Sequence, residues 1–251
     1  TMTTAEYRAH SAENYSELKH LLTSVPHYIA NKGKRTEPTD AMRQGTWLHQ
    51  WWLENKLPEV AIKPAGMSFA TKEGKEWRAM TEESGVPVID QGDFDLLRNR
   101  HTALRESTLA ESIRAAMTGF ERPMFGEIEG VPVKALYDGE NDVAFCDLKT
   151  CQDNSPKAFG EHIVKYHYDL QWALYDAIWR DNYGRRRKPK FWWITVSADK
   201  NPVVAVYNVG QFAELGREKL DTVLKRFRYW QNTGEQPIEA EVPFWAVEGG
   251  K

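Results

Sequence analysis

Gly130 to Cys151 reads GVPVKALYDGENDVAFCDLKTC, and this stretch decides the fold. Val131, Val133, Ala135 and Tyr137 alternate with Lys134, Leu136 and Asp138, the period of a strand. The pattern predicts a strand over 131–138, a turn from Gly139 to Asn141, and a second strand over 143–149. The cluster Asp-Gly-Glu-Asn-Asp supplies turn residues. Residues two apart on a strand share a face, so Asp147 and Lys149 are expected to point the same way. A rise of ~3.3 Å per residue sets them ~6.6 Å apart along the strand. Asp138 precedes Asp147 across the turn and can converge on the same point.

Two acids and a lysine on adjacent strands can hold a divalent metal against a phosphodiester. Mg²⁺ prefers hard oxygen ligands and keeps several waters. One or two such ions polarise the phosphoryl oxygen, generate hydroxide and steady the leaving oxygen. The alternative is a surface hairpin with a cross-strand ion pair of little energetic worth. The D-x-K triplet by itself is short and common, so the rest of the chain must decide.

At 251 residues, 41% hydrophobic and 27% charged, the chain has ample material for a core. No run approaches the ~18 apolar residues of a transmembrane helix, and no secretory signal opens the chain. A cytoplasmic location, away from membranes, is expected. Thr1 before Met2 suggests a leftover or a fragment of a longer protein. Cys146 and Cys151 fit reduced thiols rather than a disulfide scaffold, and two cysteines are too few for an Fe–S cluster. Cys146 alternates with Asp147 and is expected to face the core.

The net charge of −3 is unusual for a DNA-binding protein, though distribution matters more than the sum. Arg185 to Lys190 (RRRKPK) is a basic run that suits either a solvated turn or phosphate contact. Of ten tryptophans, most should be core, with a few free to stack on bases.

Along the chain, helices are expected at 12–31 (Ser11 as N-cap, Pro26 as a kink), 41–55, 68–83 and 91–118. Residues 56–67 read as a connector. Strands follow near 123–128, 131–138 and 143–149, then a long helix over 156–182. Strands at 191–197 and 203–209 and a helix over 211–232 close the pattern, before a Pro- and Gly-containing tail. The order implies an α/β fold: a mixed central sheet flanked by helices on both faces, with the hairpin in its middle and a helical N-terminal region. Residues 1–120 form the mainly helical part carrying His49, and 121–235 the α/β core, within a single domain.

Two further constellations matter. Gly45 and His49 lie four apart on a helix and share a face. Either the glycine admits close helix packing beside a core histidine, or neutral His49 is a metal ligand. Tyr168, Gln171 and Tyr175 form a polar stripe on one helix face, which suits either packing or the lining of a cleft. There Gln171 could contact phosphate or position Lys149, and Tyr175 could contact the DNA backbone.

Together these residues resemble the PD-(D/E)xK nuclease superfamily and, within it, the RecB-like exonucleases. The helix with Gly45 and His49 is similar to that family's G-x-x-x-H motif. Gly130 to Asp138 is similar to its first metal-binding strand, Asp147 to Thr150 to its D-x-K-T strand, and Gln171 with Tyr175 to its Q-x-x-x-Y helix. The four motifs stand in the family's order over about half of the chain. Tyr137 replaces the nominal Pro before the first Asp, and Ala135 stands where many relatives have Gly. The helix opening at Tyr15, followed by Pro26, is similar to the RecE-type nuclease domains and related phage exonucleases.

The resemblance implies that His49, Asp138 and Asp147 hold Mg²⁺ or Mn²⁺, with the Leu148 carbonyl as a further ligand. Lys149 would orient or deprotonate water, and Gln171 and Tyr175 would complete the catalytic set. Glu121 and Glu127 become weaker supporting candidates, and Lys19, Arg35 or Arg43 candidates for a 5′-phosphate pocket. The implied activity is resection of double-stranded DNA ends from 5′ to 3′, by a toroidal tetramer working with a RecT-like single-strand annealing protein. An endonuclease of the same superfamily and a catalytically silent DNA-binding relative are the alternatives.

Overall fold

The computed structural model describes residues 4–34 and 37–235. In chain order the first elements are α1 (Thr4–Ala9), α2 (Tyr15–Leu18), a 3₁₀ turn (Lys19–Leu22), α3 (Val25–Asn31) and α4 (Asp40–Trp52). Then come β1 (Ala61–Lys63), α5 (Lys72–Ser84), β2 (Val88–Asp90), α6 (Gln91–Glu106) and α7 (Thr108–Ala116). The sheet-bearing part holds β3 (Gly119–Ile128), β4 (Val131–Glu140), β5 (Ala144–Cys151), α8 (Pro156–Tyr166), α9 (Tyr168–Tyr183), β6 (Lys190–Ser197), β7 (Val204–Tyr207) and α10 (Phe212–Thr233).

Five strands form one mixed sheet in the order β3-β4-β5-β6-β7, which places the hairpin strands inside it, as expected. β5 and β6 run parallel because α8 and α9 carry the chain between them, and the other neighbours are antiparallel. β1 and β2 form a separate parallel pair that the sequence pattern did not disclose. No helix among the described residues is long and apolar enough to cross a membrane.

Each sheet face has its own core, and strand alternation decides which residue joins which. Val133, Tyr137, Phe145, Phe191 and Trp193 pack against α8, α9 and α10. Ala144, Cys146, Leu148, Ile194 and Val196 pack against α4, α6 and α7. Cys146 therefore faces a core as expected, and both cysteines are buried free thiols.

Alternation in β4 fails at one place. Tyr137 belongs to the α9 side, yet a Cβ on Gly139 would meet Cys146 Sγ and Met117, which lie on the α4 side. Glu140 returns to the α9 side, where it meets Tyr183. The pleat thus switches at Asp138. The expected turn at Gly139–Asn141 is corrected accordingly: β4 continues to Glu140, and Asn141 makes the turn by accepting from the N–H groups of Val143 and Ala144. The same irregularity appears across the ladder in β3, where Glu121 takes a left-handed φ of 46°.

Three expected helices are divided. The 12–31 segment is α2, the 3₁₀ turn and α3, with Pro26 at the start of α3 rather than at a kink near a helix end. The 91–118 segment breaks at Ser107, which caps α7. The 156–182 segment breaks at His167, whose left-handed φ of 58° turns α8 into α9. α10 presses on this break. A Cβ on Gly216 would lie 2.3 Å from the Asp169 carbonyl oxygen, and Lys219 pairs with buried Asp169 at 2.7 Å.

Candidate active site

β4 and β5 share two ladder pairs, Gly139–Cys146 and Glu140–Phe145, and then diverge. The backbone of Leu148 needs other partners for its polar groups. Its N–H donates to Asp138 Oδ2 at 2.6 Å, and its carbonyl lies 3.1 Å from His49 Nε2. Side chains, rather than a strand, fill the gap. On the other flank, Glu13 bridges the freed edge of β4: its N–H donates to the Pro132 carbonyl, and its own carbonyl accepts from Lys134.

His49 comes from α4, which Thr39 caps and which buries Leu48 and Trp52 in the α4-side core. The Leu148 carbonyl draws the imidazole proton to Nε2, so Nδ1 is the nitrogen turned into the gap. Nδ1 lies 3.3 Å from Glu121 Oε1 and 3.6 Å from Asp138 Oδ1. One ligand atom from each of His49, Glu121 and Asp138 falls within 4.8 Å of the others. An imidazole nitrogen with carboxylate oxygens suits Mn²⁺ well and Mg²⁺ through its oxygens.

Asp147 and Lys149 do share a face, the one covered by α9. Gln171 spans them, donating to Asp147 Oδ1 at 2.9 Å and accepting from Lys149 Nζ at 3.1 Å. Asp147 Oδ2 stands 2.7 Å from Lys149 Nζ without the alignment of a hydrogen bond. That buried oxygen thus has a Coulombic partner but no directed donor, and a bound cation would relieve it. Lys149 Nζ also lies over the Tyr168 ring, 4.6 Å from its centre. Tyr175 lies beside Gln171, close enough to Asp147 and Asp138 to feel their charge.

The electrostatics follow from burial and crowding. Burial alone would lower the His49 pKa, but Asp138 and Glu121 outweigh it and lift it to about 9. Burial raises both Asp138 and Asp147, with His49 and Lys149 respectively opposing it. Burial would lower Lys149, yet Asp147 and Asp138 hold it above the ordinary lysine value. Lys149 is therefore a fixed cation in the metal-free site.

The expected residues are thus brought together, in two groups. Asp138 and His49 meet with the Leu148 carbonyl, while Asp147 joins Lys149 and Gln171. Glu121, only a supporting candidate from sequence, stands among the possible metal ligands. Its signal was present in the turn: Glu129 and Gly130 both have positive φ, as a two-residue type I′ hairpin requires. Counting back from that turn sets Glu121 opposite Asp138. Glu127 sits exposed towards the far end of β3, where its backbone N–H meets Asp181, so it is not part of the site.

A Cβ placed on Gly45 would meet nothing within 4 Å, so this glycine does not serve close helix packing and instead leaves space on the His49 face. Arg43 is paired with Asp40, and Lys19 lies over the Tyr15 ring. Arg35 falls outside the described residues. In the basic run, Arg185 pairs with Asp181 and Arg187 with Asp142, beside the N-terminal end of β5 rather than beside Lys149.

A family model described as a PDDEXK-like domain of unknown function (DUF3799) matches residues 14–242. The chain is similar in structure to a protein from Eubacterium rectale described as "Putative exonuclease". The TM-score is 0.66 at 15% identity, over 100% of this chain and 99% of that one, a likeness of fold. No curated protein matches the sequence significantly.

Proposed function

The chain belongs to the family of the PDDEXK-like domain (DUF3799), and from that premise we propose that it is a metal-dependent exonuclease acting on double-stranded DNA ends. The observation that carries this reading is the gap between β4 and β5. There His49, Glu121 and Asp138 face Asp147, Lys149 and Gln171.

His49, Glu121, Asp138 and Asp147 would hold Mg²⁺ or Mn²⁺, with the second lone pair of the Leu148 carbonyl as a further donor. Such an ion supplies charge stabilisation at the phosphoryl oxygens and lowers the pKa of bound water. The protein's own residues do the positioning. Lys149, held cationic by Asp147 and Asp138, presents an ammonium to a phosphate oxygen and orients the attacking water. Gln171 keeps Asp147 and Lys149 in one plane of contact, which removes their freedom to pair elsewhere. Tyr175, a hydroxyl beside Gln171, can donate to the DNA backbone.

By resemblance we take the direction as 5′ to 3′. The 3′ single-stranded tails left behind would suit recombination through a RecT-like annealing protein. Residues 1–120 and 121–235 would act as one nuclease unit, assembled as a toroidal tetramer.

End-labelled linear duplex and a covalently closed circle, each incubated with Mg²⁺, test this reading beside an Asp147→Ala control. Mononucleotide release from the linear 5′ end alone is the expected result. Equal cleavage of the circle would replace the exonuclease reading with an endonuclease. Undiminished activity in the Asp147→Ala protein would overturn the site assignment.

A further inference from the structure

We propose that Tyr166 and Tyr168 form a stacking platform for unpaired bases, on which a DNA strand is laid before its phosphate reaches Lys149. This deepens the nuclease reading of the same site and rests on it.

The platform is a product of the α8–α9 break. Tyr166 ends α8 and Tyr168 opens α9, and the left-handed backbone of His167 between them turns the chain sharply. In an uninterrupted helix, residues two apart would point to different sides. Here the two rings lie side by side, with centres 5.7 Å apart and planes inclined by 33°. Tyr168 is the inner ring, with Lys149 Nζ 4.6 Å from its centre. Tyr166 is the outer ring and 44% exposed. The pair forms a short aromatic path from the surface to the lysine of the site.

The path is held from three directions. Tyr15 donates from its hydroxyl to the Tyr166 carbonyl, which ties α2 to the break. Phe159 backs Tyr168 from within the core, ring centres 6.5 Å apart. Lys219 anchors α9 through Asp169 and lies 3.4 Å from His167 Nδ1. The rim is cationic: Lys165 lies 5.2 Å from the centre of the Tyr166 ring, and Lys19 lies 5.6 Å from that of Tyr15.

Aromatic faces next to ammonium groups match the chemistry of an unpaired strand, whose bases stack and whose phosphates take the charge. A paired base has both faces covered by its neighbours, so these rings favour a frayed end. Every base has a π-face, so little sequence preference is expected.

The test is binding of a single-stranded oligodeoxynucleotide carrying 2-aminopurine near its 5′ end, measured in EDTA so that nothing is cleaved. Stacking is expected to quench the fluorophore. Tyr166→Ala should weaken binding about fivefold to a hundredfold and lose the quench, and Tyr166→Trp should restore both. A covalently closed duplex circle, which has neither free ends nor unpaired bases, should bind equally to all three proteins. Unchanged binding and quench in Tyr166→Ala would overturn the proposal, as would failure of Tyr166→Trp to improve on alanine. Digestion of linear duplex, run in parallel, separates the two readings. Intact digestion with no Tyr166 dependence sinks the platform alone, whereas stacking without any digestion sinks the nuclease reading alone.

Discussion

At the scale of single residues, Gln171 is the hinge of the site because it satisfies two charged groups of opposite sign at once. Its amide donates to Asp147 and its carbonyl accepts from Lys149, so neither end can be replaced by an apolar group. Gln171→Leu is expected to lower kcat about a hundredfold through misplacement of Lys149. The stability cost should be ~3 kcal/mol or more, because two hydrogen bonds to charged groups are lost. Steady-state kinetics beside a thermal melt check this, and an unchanged kcat would show that Gln171 only packs.

His49 gives a second residue-scale outcome. Its pKa of about 9 lies above the ordinary 6.5. The charged imidazole therefore favours the metal-free fold below about pH 6.5, and that contribution is lost as the pH rises through about 9. A metal on Nδ1 must displace this proton. Calorimetric titration with Mn²⁺ at pH 7, in two buffers of different ionisation heat, is expected to report about one proton released per metal. His49→Ala should abolish that difference, and equal heats for the native protein would contradict the ligand role. Asp147 and Lys149 were legible at this scale, because period two fixes a shared face. Glu121 was half hidden: by its pattern the strand reads as starting near 123, just past this residue.

At the scale of elements, α4 carries His49 on a face that Gly45 leaves open. With nothing within 4 Å of a Cβ there, Gly45→Ala should stabilise the protein by up to ~1 kcal/mol through helix propensity. Gly45→Trp should fold as well yet lose activity, since the large ring would enter the space beside His49. A melt with an activity assay decides it, and full activity in the tryptophan variant would mean that the space is not used. The strands of this region could be read from their alternation. The break between α8 and α9 could not, because no Gly or Pro marks it. His167 is pressed into a left-handed conformation by α10, through Gly216 and Lys219, which are distant in sequence. The kink at Asp138 was visible as lost alternation, but it reads equally well as a turn until the partner strand is known.

At the scale of the whole molecule, the sheet works as a wedge. Its two faces have separate cores, and each contributes half of the site: α4 brings His49 from one side and α9 brings Gln171 from the other. The two halves meet only because β4 leaves β5 after two ladder pairs. That convergence explains why a PDDEXK-like fold was recognisable from four short motifs: each marks a point where one element reaches the gap. The same geometry makes the metal the central claim. Crystals of the protein soaked in Mn²⁺ and measured for anomalous scattering test it most directly. The expected result is a peak about 2.2 Å from His49 Nδ1 and from carboxylate oxygens of Glu121 and Asp138, lost in Asp138→Ala. A peak elsewhere, or none beside these three residues at saturating Mn²⁺, would contradict the account.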